Sequence, residues 1–107
     1  MQYRDFGNTG VKVSALGFGA MRLPEVEIQG KYQVREKESI DMMQKAFKLG
    51  VNYADTALGY CHGQSEIVVG KALKGWRDRV YLSTKIPTGE LKKRDDYRRF
   101  LEEQLKK

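Results

Sequence analysis

The spacing of hydrophobic positions changes several times along this chain, and each change marks an element. Tyr3-Arg4-Asp5-Phe6 and Val11-Lys12-Val13 flank Gly7-Asn8-Thr9-Gly10, residues that accept positive backbone dihedrals, so residues 2 to 14 predict a short hairpin. Two strands of that length need a neighbour to lean on. Leu16-Gly17-Phe18-Gly19-Ala20-Met21 predicts a buried strand whose glycines let another backbone or a ligand come close. Pro24 to Val34 is polar with little periodicity and reads as a loop beyond the strand's C-terminal end.

From about Glu36 the period becomes helical. Ile40, Met43, Ala46 and Phe47 fall on one face, and Gly50 stands where a helix C-terminus is capped. Val51 to Ala57 predicts the next strand. Ser65 is a candidate N-cap, Glu66 suits the positive end of a helix dipole, and Ile67 to Leu73 carries that helix to Gly75. Val80 to Ile86 is a third strand, ended by Pro87, and a last helix starts near Asp95 with Tyr97, Phe100, Leu101 and Leu105 spaced to bury one face.

The order strand, helix, strand, helix, strand, helix predicts an α/β fold with parallel strands and right-handed crossovers, either doubly wound or a (β/α) barrel. Motifs separate the two. Gly17-Phe18-Gly19 would need glycine at position 22 to form a dinucleotide fingerprint, and Arg22 stands there. Gly70-Lys71 is followed by Ala72, and Ser65 occupies the place of the first glycine of a phosphate-binding loop. The start of a barrel remains.

The length of 107 residues fits one domain, residues 1–107, and 40% hydrophobic with 32% charged residues describes a folded chain. No apolar run approaches the roughly 20 residues that span a bilayer, and the first residues lack the pattern of a secretory signal. A soluble cytoplasmic protein is expected. Cys61 is the only cysteine, which rules out an internal disulfide, and Cys61-His62 falls short of a four-ligand site, so no metal is expected.

The net charge of +6 is C-terminal: residues 1 to 70 hold eight basic and eight acidic side chains, residues 71 to 107 twelve and six. Lys92, Lys93, Arg94, Arg98 and Arg99 could meet a polyanion. Asp95, Asp96, Glu102 and Glu103 interrupt them as on a solvated helix face, so nucleic acid is not the expected partner.

Candidate chemistry lies at strand ends. Alternation puts Val51, Tyr53 and Asp55 on one face and Tyr81, Ser83 and Lys85 on another, and in a barrel the C-terminal strand ends build the active site. That brings Asp55 and Lys85 to one rim beside the loop carrying Tyr60. A phenol is a poor acid at neutral pH unless a cation favours its anion. Lys85 could supply the charge and Asp55 could hold the ammonium, leaving Tyr60 as proton donor to a carbonyl that gains a hydride from a cofactor. Spacing alone leaves the plain alternative open, in which Asp55 and Lys85 form a structural ion pair and Tyr60 is a packed loop aromatic.

Asp55-Thr56-Ala57-Leu58-Gly59-Tyr60, followed by Gly63-Gln64-Ser65-Glu66, resembles the signature of the aldo-keto reductases. Leu82-Ser83-Thr84-Lys85 is similar to that family's lysine strand, and Tyr3-Arg4 to Gly10 with Val13-Ser14-Ala15-Leu16-Gly17-Phe18-Gly19 resembles its N-terminal hairpin and first barrel strand. Met21-Arg22-Leu23-Pro24 is similar to a bacterial and archaeal branch that often carries a C-terminal iron–sulfur segment. Cys61 stands where glycine is common in the motif.

The resemblance implies the N-terminal three βα units of a (β/α)₈ TIM-type barrel preceded by a hairpin, and so an incomplete barrel. It implies NADPH or NADH as cofactor and small aldehydes or ketones as substrates. Tyr60 would be the acid, Lys85 its activator and Asp55 the supporting carboxylate, with Gly19, Ala20, Met21 and Asp55 meeting the nicotinamide end. The family's fourth catalytic residue is a histidine ending the fourth strand, and His62 is not that residue. Loops of the seventh and eighth strands bind most of the rest of the cofactor. Residues 1–107 alone are therefore expected to hold no cofactor tightly, to lack appreciable activity, and to self-associate through uncovered sheet edges. The rival reading is a non-catalytic binding or regulatory module, as in the potassium-channel β subunits that resemble this family.

Overall fold

The computed structural model describes residues 1–107. Strands β1 (Tyr3–Asp5) and β2 (Lys12–Ser14) pair antiparallel with Tyr3 opposite Ser14, and Gly7 and Gly10 turn the chain with φ of 57° and 74°. The pair leans on the chain around Gly50. Asn52 Oδ1 accepts the Ser14 N–H at 2.6 Å, Asn52 Nδ2 donates to Lys12 O at 3.0 Å, and the Tyr3 hydroxyl donates to Gly50 O at 3.0 Å. Gly50 is needed twice over: its φ is 98°, and a Cβ there would stand 2.9 Å from the Tyr3 hydroxyl.

The central sheet is parallel, in the order β3 (Phe18–Gly19), β6 (Tyr53–Asp55), β7 (Tyr81–Ser83). Gly19 lies opposite Asp55, and Asp55 lies opposite Ser83. Helices α1 (Glu36–Lys48) and α2 (Ser65–Ala72) pack on one another and over one face of this sheet. Ala54 points into that layer and is fully buried, while Tyr53 and Asp55 turn to the other face, as a period of two requires. The Phe6 ring lies against Tyr53 on that second face, 5.8 Å between centroids. Val51, expected to share the face of Tyr53, is instead buried in the core, because regular pairing begins only at Tyr53 and the alternation does not extend back to it.

Helix α1 carries Glu36 and Glu38 in its first turn and Lys45 and Lys48 in its last, matching its dipole at both ends. It buries Met43 and Phe47, with Ile40 and Ala46 partly covered. The expected face is present. Phe47 also meets the Trp76 ring, tilted, at 5.8 Å.

Three local expectations give way. Residues 25–34 form a second antiparallel hairpin, β4 (Glu25–Ile28) and β5 (Lys31–Val34), turned by Gln29 and Gly30 with φ of 52° and 76°. Two successive positive dihedrals define a type I′ turn, but glutamine is an unusual first residue for one, and only Val34 of the eight strand residues is buried. The pattern therefore carried little hydrophobic signal. Ser65, read as an N-cap, is the first residue of α2, and its hydroxyl points into the core.

Helix α3 (Arg94–Gln104) is the third case. Its start is set by Asp96, whose carboxylate accepts the backbone N–H groups of Lys92 and Lys93 at 3.0 and 3.1 Å. Those bonds, with Arg99 and Lys93 nearby, hold the Asp96 carboxyl below the usual carboxylate range against the opposing effect of burial. Of the apolar stripe only Phe100 is buried, while Tyr97 and Leu105 remain 55% and 72% exposed. The periodicity is real, but no surface lies opposite most of it. No helix is long and apolar enough to cross a membrane.

Candidate active site

The parallel register brings three strand ends to one rim. Asp55 closes β6, its carbonyl accepts the Ala20 N–H at 2.8 Å, and the next amide, Thr56 N–H, donates to Ser83 O at 2.9 Å. Beyond that point side chains take over. Lys85 Nζ donates to both Asp55 oxygens at 2.8 and 2.7 Å and to Thr56 O at 3.0 Å, and it lies over the Tyr60 ring 4.8 Å from the centroid. Asp55, Tyr60 and Lys85, separated by up to 30 residues, are thus one cluster.

The Asp55 carboxylate raises the Lys85 ammonium above the ordinary lysine value of 10.5; burial opposes this and Tyr60 adds a smaller push upward. Lys85 is therefore charged throughout the neutral range. A folded-state value above the unfolded one means that this pair's contribution to stability is fully present below pH 10.5 and is lost as pH rises through the higher folded value. Asp55→Asn is accordingly expected to bring the Lys85 midpoint down, read by NMR titration of its ε-carbon. The Lys85 and Asp55 side chains are 49% and 36% exposed, and solvated pairs contribute only about 0–1 kcal/mol. Stability is a weak reason for placing them here.

Tyr60 opens a tight turn over Tyr60–Gly63 in which Cys61, His62 and Gly63 have φ of 50°, 56° and 84°. The left-handed region costs a side-chain-bearing residue roughly 1–2 kcal/mol. The thiol compensates. Buried Cys61 Sγ accepts the Leu23 N–H at 3.5 Å and donates toward Met21 O at 3.4 Å, with Ala20 O at 3.7 Å. The turn bearing Tyr60 is thereby tied to the segment after β3.

Of the residues expected at a cofactor's nicotinamide end, Ala20 is fully buried, its carbonyl accepting the Ser65 hydroxyl at 2.8 Å. Gly19 and Met21 are exposed, and a Cβ built on Gly19 meets nothing within 4 Å, so open space lies in front of it beside Asp55. Met21, Arg22, Tyr60 and His62, with Glu25 of β4, line a neighbouring cleft of about 390 Å³. Gln64 holds the second hairpin against this cleft, accepting the Val34 N–H and donating to Tyr32 O, both at 3.0 Å, while Tyr32 stacks on His62 at 5.1 Å.

Arg22 and Gln64 had no assigned part from sequence, and Ser65 was expected only as an N-cap. Gln64-Ser65 lay inside the recognised motif, and its polar residues directly before an apolar helix were the available signal. The chain contains no group of three or more His, Cys, Asp or Glu residues arranged to hold a metal ion.

The profile of the Aldo/keto reductase family matches residues 15–107. This chain belongs to the aldo/keto reductase family. It is 41% identical to the versiconal hemiacetal acetate reductase of Aspergillus parasiticus over 88 residues, which are 79% of this chain and 25% of that protein. It is 39% identical over 89 residues to a probable voltage-gated potassium channel subunit beta of Arabidopsis thaliana, covering 80% of this chain and 25% of the other. Among solved structures, a thermostable aldo-keto reductase in complex with the inhibitor epalrestat superposes with a TM-score of 0.79 at 32% identity, covering 99% of this chain and 38% of that one. An aldo-keto reductase from Klebsiella pneumoniae in complex with NADPH superposes with a TM-score of 0.58 at 32% identity, over 70% of this chain and 24% of the other.

Those relatives make this aldo/keto reductase chain a partial TIM-barrel fold of mixed α and β content. It spans about a quarter of the length of the curated relatives it matches. NADPH is bound in one of those solved neighbours.

Proposed function

We propose that residues 1–107 are the N-terminal three βα units of a (β/α)₈ aldo-keto reductase barrel whose parent reaction is NAD(P)H-dependent reduction of aldehydes or ketones. The observation that carries this reading is the Lys85 ammonium, held by both oxygens of Asp55 and lying over Tyr60 at the C-terminal strand ends. The nicotinamide cofactor supplies the hydride. Tyr60 gives its proton to the carbonyl oxygen, the Lys85 charge favours the phenolate left behind, and Asp55 keeps that charge in place. Gly19, Met21 and the Asp55 backbone offer the surface for the nicotinamide ring, and they fit that end alone.

The same reading makes residues 1–107 inactive in isolation. Three parallel strands supply one arc of a rim, without the family's histidine or the loops that hold the adenosine end. Oxidation of NADPH with 4-nitrobenzaldehyde tests this. The isolated chain is expected to show no turnover above background, whereas a chimera in which residues 1–107 replace the matching segment of the thermostable reductase is expected to turn over; robust activity of the isolated chain would refute the partial site. Strands β3 and β7 each pair on one side only, and Tyr81 of β7 is exposed, so a second copy of the chain is the expected partner. Light scattering should give a mass above 12.3 kDa, and a monomer at high concentration would sink that part.

The second reading, a regulatory module that binds without turnover, draws on the likeness to the potassium channel subunit. Separate measurement of NADPH binding and of turnover in the chimera distinguishes the two, since binding with no turnover favours regulation.

A further inference from the structure

Lys85 lies beyond the regular sheet. Strand β7 ends at Ser83, and the last ladder bond of that strand end is the one from Thr56 N–H to Ser83 O at 2.9 Å. The Thr84 hydroxyl and the Lys85 carbonyl are held instead by side chains from the two flanking helices. The Thr84 hydroxyl donates to Glu66 Oε1 at 2.5 Å, and Gln104 Nε2 donates to the same oxygen at 2.7 Å. Gln104 Nε2 also reaches Thr84 Oγ1 at 3.3 Å and the Lys85 carbonyl at 3.1 Å. The Glu66 side chain is only 5% exposed, and Lys107 Nζ meets its other oxygen at 2.5 Å.

We propose that Glu66, Thr84 and Gln104 are positioning residues for Lys85, a partly buried clamp that sets where the lysine leaves the sheet. The adjacent Ser65 does the equivalent work for the other strand ends, its hydroxyl reaching Ala20 O and Thr56 Oγ1, each at 2.8 Å. Two consecutive residues at the start of α2 thus fix the ends of β3, β6 and β7. A carboxylate serving only the helix dipole needs no bond to a strand, and a buried carboxylate with three donors is an expensive way to supply a surface charge. Lys85 reaches Asp55 through a long flexible stem, so its placement depends on the backbone from which it departs. Misplacement of a reacting group by about 1 Å can cost about 10²-fold in rate.

This inference rests on the reading of Lys85 as the group that acts on Tyr60, but its test reads Lys85 directly in the full 107-residue chain. Thr84→Val and Gln104→Leu remove the clamp without changing any charge, whereas Glu66→Gln would alter the field at Lys85 by itself. NMR of the Lys85 ε-carbon and ammonium protons gives the titration midpoint and the proton exchange rate. Both variants are expected to move the midpoint down toward that of an ordinary lysine and to speed exchange several-fold, while Thr84→Ser keeps both. Unchanged Lys85 signals in folded Thr84→Val and Gln104→Leu would overturn the proposal. So would loss of folding in both with a native Thr84→Ser, which would make the clamp a folding element. If Gln104→Leu alone fails to fold, Thr84→Val decides. A chimera without reductase activity would remove the functional reading and leave this measurement standing.

Discussion

Tyr60→Phe, placed in the active chimera, is expected to lower the turnover of 4-nitrobenzaldehyde by about 10²–10⁴-fold, the range that a positioned proton donor contributes. The substitution removes one hydroxyl and keeps the ring beneath Lys85. Packing of the turn, anchored by Cys61 and Gln64, should survive, and so should affinity for NADPH. The loss belongs in kcat, with the KM for cofactor unchanged, because the proton is needed only as the carbonyl oxygen gains charge. A fall below about tenfold would mean that another group or water delivers the proton. Lys85→Met should approach the same loss by a different route, since it leaves the phenol without its cation.

The second large effect is on stability. Phe47→Ala is expected to cost about 3–5 kcal/mol, the range for emptying a buried aromatic site. Phe47 is 3% exposed and meets both the α1–α2 layer and Trp76, so few neighbours are free to collapse into the space. Whole domains have only about 5–15 kcal/mol in hand, and a chain with one sheet face open stands toward the lower end. The variant should therefore keep only about 0–2 kcal/mol at room temperature, seen as a urea midpoint shifted toward zero and a partial loss of ellipticity. Leu101→Ala makes the internal control: Leu101 sits in an equally regular apolar stripe but is 38% exposed, and its loss should stay near 0.5 kcal/mol. Equal effects from the two would mean that α3 is buried in solution, for instance against a second copy.

That contrast shows how much of the fold could be read from the residues. The period of α1 was visible because a full helical face is covered, and Gly50 and Pro87 marked the ends of α1 and of the third strand through backbone geometry that does not depend on tertiary contacts. The stripe on α3 was equally visible, but periodicity reports the capacity of a face to be buried and says nothing of whether another surface lies opposite. The β4–β5 hairpin was missed for the converse reason. Its strands are mostly exposed and its turn uses Gln29-Gly30, so neither alternation nor the usual turn pair announced it.

The cluster of Asp55, Tyr60 and Lys85 was legible as residue types at strand ends, and the registers Gly19–Asp55 and Asp55–Ser83 explain why they meet. Residues that support the cluster were not legible in that way. Ser65 and Glu66 match a generic helix start, and only the positions of Ala20, Thr84 and Gln104 in space show that their side chains turn away from the helix end toward the strands. Cys61 gave a partial signal. Its place at a glycine position foretold strain, but the sulfur contacts that offset it join residues 38 to 41 apart.

The second hairpin has a consequence for how proteins of this design diversify. It reaches the site through Gln64 and the Tyr32–His62 stack, and its tip at Gln29-Gly30 points to no core residue. None of its bonds involves Asp55, Lys85 or the clamp behind them. It is a graft point: lengthening or recolouring its strands would reshape the cleft beside Tyr60 while leaving Asp55 and Lys85 in register. Changes there would alter that cleft without asking the sheet to refold.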